Sequence, residues 1–159
     1  MSRFGEWSID WEVYDWLIDH LPFGSTILEF GSGWASGEMS KRWKVFSIEE
    51  NATFIGKHKT SYIHAPIDEM GWYSKDVLER ELPKHYDLIL IDGPGAKIRK
   101  NIEHRSELFN WNVPVIIDDM QEDYLLESAL KLVTNNIKRP YQIMEGGSGK
   151  KFMVIPNVC

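Results

Sequence analysis

Four short apolar runs constrain this chain more than anything else in it: Thr26 to Gly31, Val45 to Glu49, Tyr86 to Asp92 and Val113 to Asp118. Each is rich in Ile, Val, Leu or Phe, and each ends in an acid or a glycine. A strand can be apolar at nearly every position only when both faces of its sheet are covered, which is the situation of a parallel sheet. The stretches between them, such as Trp34 to Arg42, Asn51 to Lys59, Lys97 to Phe109 and Gln121 to Asn136, are long enough for crossover helices. The alternation predicts an α/β layer fold. A weaker strand is expected at Ser61 to His64, and a short helix around Lys75 to Arg80 that Pro83 stops.

The end of the chain breaks this rhythm. Tyr141 to Glu145 and Lys151 to Ile155 are separated only by Gly146-Gly147-Ser148-Gly149-Lys150, too short for a crossover, so these two strands must form an antiparallel hairpin. Near the start, Ile9 to His20 has a helical pattern that is apolar nearly all round, with Ile9, Val13, Trp16 and Leu17 on one face and Trp11, Tyr14 and Ile18 on another. Two readings are open for it: a helix packed on the sheet with its second side under a loop, or a substrate lid or subunit contact.

With 159 residues, 43% of them hydrophobic, the chain is expected to be one domain, 1–159, with an N-terminal helical segment over 1–24 and a core over 25–155. Its 24 acidic and 18 basic residues give a net charge of -6, which opposes binding along nucleic-acid phosphates. The single cysteine, Cys159, excludes an intrachain disulfide or a cysteine metal cage, and a reducing cytoplasm is the expected setting. No signal-peptide pattern precedes Asp19, and no run approaches the roughly 20 apolar residues of a membrane span.

Gly31-Ser32-Gly33 follows the first strand and precedes a helical pattern, so the backbone there can turn sharply and approach a ligand beside free helix N–H groups. A dinucleotide site or an ordinary tight turn would use the same glycines. The second strand narrows the choice, because Glu49 ends it about 20 residues later, where a carboxylate can accept ribose hydroxyls. Glu50 beside it reads as a solvated cap or as a second cofactor contact. Glu29, inside an otherwise apolar strand, needs buried partners; it anchors the loop backbone or reaches a cofactor amino group.

Taken in order, Ile27 to Gly33 with Trp34-Ala35-Ser36, Val45 to Asn51, Tyr62 to Ile67, Tyr86 to Pro94, Val113 to Met120 and the terminal hairpin resemble the motifs of class I S-adenosylmethionine-dependent methyltransferases. The resemblance implies a Rossmann-like seven-stranded sheet of order 3-2-1-4-5-7-6, the last strand antiparallel, with helices on both faces. It also implies S-adenosylmethionine as cofactor, with Glu29, Gly31, Ser32 and Gly33 around its methionine part, Glu49 at the ribose, Ala65, Pro66 and Ile67 lining the adenine, and Asp92 below the sulfonium. Bulky Trp34 departs from the pattern; it narrows the methionine pocket or belongs to the core.

Strands ending at Asp92 and Asp118 would be neighbours, roughly 4.8 Å apart, so Asp92, Asp118 and Asp119 gather at one edge. Three clustered carboxylates must protonate, open to water or recruit a cation such as Mg²⁺. The set resembles the metal-dependent O-methyltransferases of the catechol and macrocin types, which makes these three aspartates candidate metal ligands and catalytic residues. The alternative is that Asp118 caps its strand and Asp119 the next helix. Lys97 is the candidate base or substrate clamp, although it falls two residues later than the catechol-type lysine and also reads as a solvated helix start. Arg99, Lys100, His104 and Arg105 read as a solvated face or as contacts to an anionic substrate. His64 reads as a hydrogen-bonding strand end.

The function expected is methyl transfer to a small hydroxyl-bearing acceptor, sugar, polyketide or phenolic, with Mg²⁺ or another divalent cation assisting. Metal-free N- or O-methylation and an inactive S-adenosylmethionine-binding subunit are the alternatives. No separate cap is evident, so the acceptor pocket is expected from the aromatics around Trp7 and Trp11, the Ala65 to Tyr73 loop and the segment after Asp92, with a second subunit joining through the aromatic N-terminal segment. Nucleic-acid and membrane partners are not expected.

Overall fold

The computed structural model describes residues 9–157; Trp7 and Cys159 lie outside the described residues. The chain runs α1 (Trp11–His20), β1 (Thr26–Phe30), α2 (Trp34–Met39), β2 (Lys44–Glu49), β3 (Ser61–His64), α3 (Lys75–Glu81), β4 (Leu88–Ile91), α4 (Ala96–Arg99), β5 (Val115–Ile117), α5 (Asp123–Leu132), β6 (Gln142–Glu145) and β7 (Lys151–Ile155). The strands form one seven-stranded sheet in the order β3-β2-β1-β4-β5-β7-β6. The first five are parallel, and β7 runs antiparallel to both β5 and β6. The expected order and the reversed last strand are both present.

Alternation along each strand divides the core into two layers. Leu28 and Phe30 of β1, Ile89 and Ile91 of β4, and Val115 and Ile117 of β5 face one side, under α5, α3 and an aromatic cluster. Ile27, Leu88, Leu90 and Ile116 face the other, under α1 and α2. Helix α1 buries Val13, Tyr14 and Leu17 there, with Tyr14 edge-on to Trp43 at 5.7 Å between centroids. Trp11 and Trp16 pack partly against the same layer, while Ile18 on the outer face is exposed. The helix thus lies on the sheet.

Two expected crossover helices are far shorter than their sequence suggested. In place of a helix over Asn51 to Lys59 there is a single 3₁₀ turn, Ala52–Phe54. Asn51 accepts the Thr53 N–H at 3.0 Å and so competes with helix propagation, and Gly56 sits at φ +82°. The helix expected over Lys97 to Phe109 stops at Arg99. Turns follow, and Arg105 takes a left-handed φ of +60°, from which its guanidinium donates 2.7 Å to the Tyr73 carbonyl and pairs with Asp68. Those tertiary contacts outweigh local helix propensity.

The terminal hairpin is tied to α1. Glu12 accepts the Gly147 N–H at 2.8 Å, and Asp10 accepts the Ser148 hydroxyl at 2.5 Å. Further along, Met120 N–H donates to the Lys151 carbonyl at 2.8 Å and Lys151 N–H to the Gln121 side chain at 3.0 Å. These bonds extend the β5–β7 pairing beyond Ile117↔Met153 and set Lys150 over the tip of β5. No described helix is long and apolar enough to cross a membrane.

Phe30 is central to the larger layer, with Phe109, Tyr73 and Trp72 at centroid distances of 4.8, 6.1 and 6.3 Å. Phe30→Ala should therefore lower stability by about 3–5 kcal/mol in urea unfolding. A loss below about 1 kcal/mol would show that this cluster closes over the cavity.

Candidate functional site

Order reverses in the sheet between β1 and β4, where chains leave in opposite directions and a crevice opens at the strand ends. The crevice begins with two glycine backbones in contact. Gly31 has φ +87°, and a Cβ on it would lie 3.1 Å from the Asp92 carbonyl oxygen. A Cβ on Gly93 would lie 2.7 Å from the Gly31 Cα, closer than any side chain tolerates against backbone. Ligand and backbone can approach here because both positions lack side chains.

Above this contact is a cleft of about 210 Å³ lined by Gly31, Ser32, Glu49, Glu50, Tyr73 and Asp92, with the Gly93 to Gly95 loop. Glu49 is buried, and its two oxygens accept from Ser32 N–H at 3.2 Å and Asn51 N–H at 2.8 Å. That fixes the carboxylate, which with about four lone-pair sites keeps capacity for a ligand hydroxyl. Burial raises its pKa, and these backbone N–H groups oppose the rise. Glu50 is half-buried and accepts the Gly95 N–H at 3.3 Å, reaching across the crevice and narrowing it.

Tyr73 was expected only as the end of the Ala65 to Tyr73 loop bordering the acceptor, not as a cofactor contact. It is fully buried, lines this cleft, and its hydroxyl has no hydrogen-bond partner, as does the nearby Trp72 Nε1. Burial, and then the charges of Glu49 and Glu50, drive its pKa well above the usual phenol range, so the hydroxyl is a donor. An unpaired buried donor costs stability unless something accepts from it. The resemblance to one family gave no sign of it, because it lies in an irregular loop.

Glu29 points to the α1–α2 side of the sheet. It accepts the Ser47 hydroxyl at 2.5 Å and bonds Ser36, whose Oγ in turn accepts the Gly33 N–H at 3.0 Å. The acid so holds the glycine loop through Ser36. Ser32 Oγ bonds the Tyr62 hydroxyl at 3.0 Å, tying the loop to β3. Buried Ala65 donates to the Glu49 carbonyl at 3.0 Å, and Ile67 bridges to Tyr73, so the Ala65-Pro66-Ile67 segment passes beside the β2 tip. Trp34 stands outside the cleft, 65% exposed and edge-on to His58, in a separate groove of about 610 Å³ with Lys41, Lys57 and Lys59.

A second cavity of about 550 Å³ adjoins the first and shares Asp92 and Gly95 with it. Gly95 and Ala96 on one wall come from the segment after Asp92; the opposite wall is Gln121, Tyr124 and Leu125 at α5, with Lys150, and the Ala65 to Tyr73 loop does not line it. Asp92, Asp118 and Asp119 do converge, with one oxygen from each within 4.8 Å of the others. Asp119 adopts a left-handed φ of +64°, which turns consecutive aspartates toward the same side. It does not cap α5, whose first turn starts from Glu122 without a side-chain cap.

These acids are already bridged by side chains. Arg99, buried rather than on a solvated face, meets Asp119 Oδ2 at 2.8 Å and Asp92 Oδ1 at 3.9 Å, and donates to the Asp92 and Pro94 carbonyls at 2.9 and 3.2 Å. Lys150 meets Asp118 Oδ2 at 3.1 Å and Asp119 Oδ1 at 3.4 Å. Burial and then Asp118 push the Asp92 pKa well up, with Arg99 opposing. Burial and then Asp119 raise Asp118, against Lys150. For Asp119 burial is outweighed by Arg99 and Lys150, and its pKa falls. A divalent ion among these oxygens would have to displace Lys150 and face Arg99, so the arrangement does not fit one. Lys97 and Lys100 are exposed on α4 and its end, His64 is exposed at the end of β3, and His104 is exposed with Nδ1 3.2 Å from the Met70 carbonyl.

No family model and no curated protein matches the sequence. Solved structures do share its fold. Precorrin-6y C5,15-methyltransferase from Geobacter metallireducens superposes with a TM-score of 0.63 at 14% identity, over 94% of this chain and 89% of that one. An O-methyltransferase from Bacillus cereus, in complex with S-adenosylhomocysteine, gives 0.62 at 14% identity, over 97% and 84%. The O-methyltransferase TomG from Streptomyces achromogenes, involved in tomaymycin synthesis and solved with S-adenosylmethionine, gives 0.56 at 14% identity, over 89% and 77%. At these identities the likeness is one of fold: the chain has the Rossmann-like fold of S-adenosylmethionine-dependent methyltransferases.

Gly93→Ala should force the β1 and β4 tips apart and lower affinity for any crevice ligand while the far-ultraviolet circular dichroism stays native; unchanged affinity would refute the tight contact. Glu29 titrates at about 7, raised from 4.5 first by burial, with Ser36 and Ser47 opposing and Glu49 adding. The folded state therefore holds this proton more tightly than the unfolded state, and stability falls as pH rises from 4.5 to 7, by at most about 3 kcal/mol. Glu29→Gln should gain on the wild type between pH about 5 and pH about 8 in urea unfolding. A difference independent of pH would contradict the assignment.

Proposed function

We propose that this protein is a methyltransferase that uses S-adenosylmethionine and methylates a hydroxyl oxygen of a small acceptor, such as a sugar, polyketide or phenol. The observation that carries the reading is the pair of cavities joined at Asp92 and Gly95: one has the donors and acceptors a nucleoside-bearing cofactor needs, and the other opens beside it. Tyr73, the Gly31–Gly93 cradle and the half-used oxygens of Glu49 all fit that cofactor.

In this reading Glu49 holds the ribose hydroxyls, Gly31, Ser32 and Gly33 surround the methionine part with Glu29 steadying their loop, and Ala65, Pro66 and Ile67 border the adenine. Tyr73 donates to the cofactor. Glu50 must release Gly95 to admit it, because 210 Å³ is below the usual size of a small-molecule site, roughly 300–1,000 Å³. The cofactor supplies an electrophilic methyl group on a sulfonium. Bound there, the cofactor would give up its methyl group to the acceptor oxygen and leave as a neutral thioether, and Asp92, which lines both cavities, would be the carboxylate placed to take the hydroxyl proton. Holding both reactants in adjoining cavities supplies much of the rate.

Arg99 and Lys150 between the aspartates favour the metal-free form of this reaction. A cytoplasmic setting and a subunit contact through α1 belong to the same reading. Calorimetric titration with S-adenosylhomocysteine should show binding to the wild type and at least about tenfold weaker binding to Glu49→Ala, since two ligand hydrogen bonds to a charged acceptor are lost. Equal affinities would remove the ribose assignment. Binding of S-adenosylmethionine with no transfer to hydroxyl, amine or thiol acceptors would make the chain a cofactor-binding subunit.

A further inference from the structure

We propose that Lys150, supported by Arg99, is the resident cation of the acceptor pocket, filling between Asp118 and Asp119 the place that a divalent metal would otherwise take. Charge alternates along Asp118–Lys150–Asp119–Arg99–Asp92, with successive closest approaches of 3.1, 3.4, 2.8 and 3.9 Å. Both oxygens of Asp119 are engaged, one by each cation. Three carboxylates gathered within 4.8 Å repel one another, and such a cluster must protonate, open to water or have its charge offset. Two side-chain cations offset it without an ion.

The two cations are not equivalent. Arg99 is nearly buried and pinned by the Asp92 and Pro94 carbonyls, so it is part of the frame of the 93–99 loop. Lys150 has 21% of its side chain exposed, lines the 550 Å³ cavity, and arrives from the hairpin rather than from the strands that carry the acids. Its position depends on the hairpin turn, with the Gly146 N–H on the Lys150 carbonyl at 2.8 Å and the α1 acids on Gly147 and Ser148. Lys150 is in this sense a positioning residue: it fixes the acids around the acceptor. Asp118 Oδ1 is buried without a partner, so the cluster keeps ligand capacity that is exposed to a metal once the ammonium is gone.

This proposal deepens the methyltransferase reading and rests on it for the name of the pocket, but its test needs neither cofactor nor turnover. Mn²⁺ is titrated into the full-length wild type, Lys150→Met, Lys150→Gln and the double variant Lys150→Met/Asp119→Asn, with bound metal followed by electron paramagnetic resonance and folding by circular dichroism. The expected result is a gain of at least about tenfold in Mn²⁺ affinity in whichever single variant retains the native spectrum, lost again in the double variant. Wild-type binding as tight as that of the single variants would overturn the proposal. So would two folded single variants that gain nothing, or loss of the native spectrum in both, which would make Lys150 a folding residue instead. Loss of cofactor binding in a separate titration would count against the methyltransferase reading alone.

Discussion

Contact between the Gly31 and Gly93 backbones governs everything above the sheet. A Cβ at Gly93 would sit 2.7 Å from Gly31 Cα, so the tips of β1 and β4 are as close as two chains can come. Gly31 and Gly93 both line the smaller cavity, Ser32 next to Gly31 helps hold the Glu49 carboxylate, and the larger cavity joins at Asp92 and Gly95, which flank the Gly93-Pro94 segment. The sheet order places the contact where the connections diverge, which is why the crevice opens at this point. Ordinary side chains at either glycine would fill the floor of the crevice.

Buried charge is the second organising element. Five ionisable groups from three separate segments meet at the β4 and β5 tips, and each carboxylate has a cation within 3.9 Å. Such clusters are costly to desolvate and add little net stability, so their value lies in fixing geometry. The hairpin has a part in this beyond closing the sheet: it carries Lys150 to the acids, and its turn is held by Asp10 and Glu12 at the start of α1. Asp10 and Glu12 thereby bear on the aspartate cluster from a distance, and among the described residues none of the N-terminal segment lines the adjoining cavity.

The sheet was legible because parallel buried strands leave a dense apolar signature; all seven strands appear, and Ser61–His64 and Lys151–Ile155 have the expected bounds. Glycines and acids at strand ends were legible for the same reason, since topology alone brings Glu49, Asp92, Asp118 and Asp119 to one edge. The crossovers after β2 and β4 were not, because Asn51 caps its own turn and Arg105 is drawn to the Tyr73 carbonyl, contacts that helical spacing does not encode. Lys150 sits 32 residues from Asp118, in a glycine-rich turn that reads as a loop, and Arg99 looked like one of several helix-surface charges. Tyr73 carries no pattern at all until its hydroxyl is seen without a partner.

The central claim is that the crevice above the Gly31–Gly93 contact is the cofactor site of a methyltransferase. A crystal structure of the protein with S-adenosylhomocysteine tests it most directly. The account predicts ribose hydroxyls on Glu49, a hydrogen bond from Tyr73 Oη, separation of Glu50 from Gly95, and the sulfur turned toward the cavity that Lys150 lines. A ligand seated instead in the Trp34 groove, or a crevice still closed by the Glu50–Gly95 bond at saturating ligand, would contradict it.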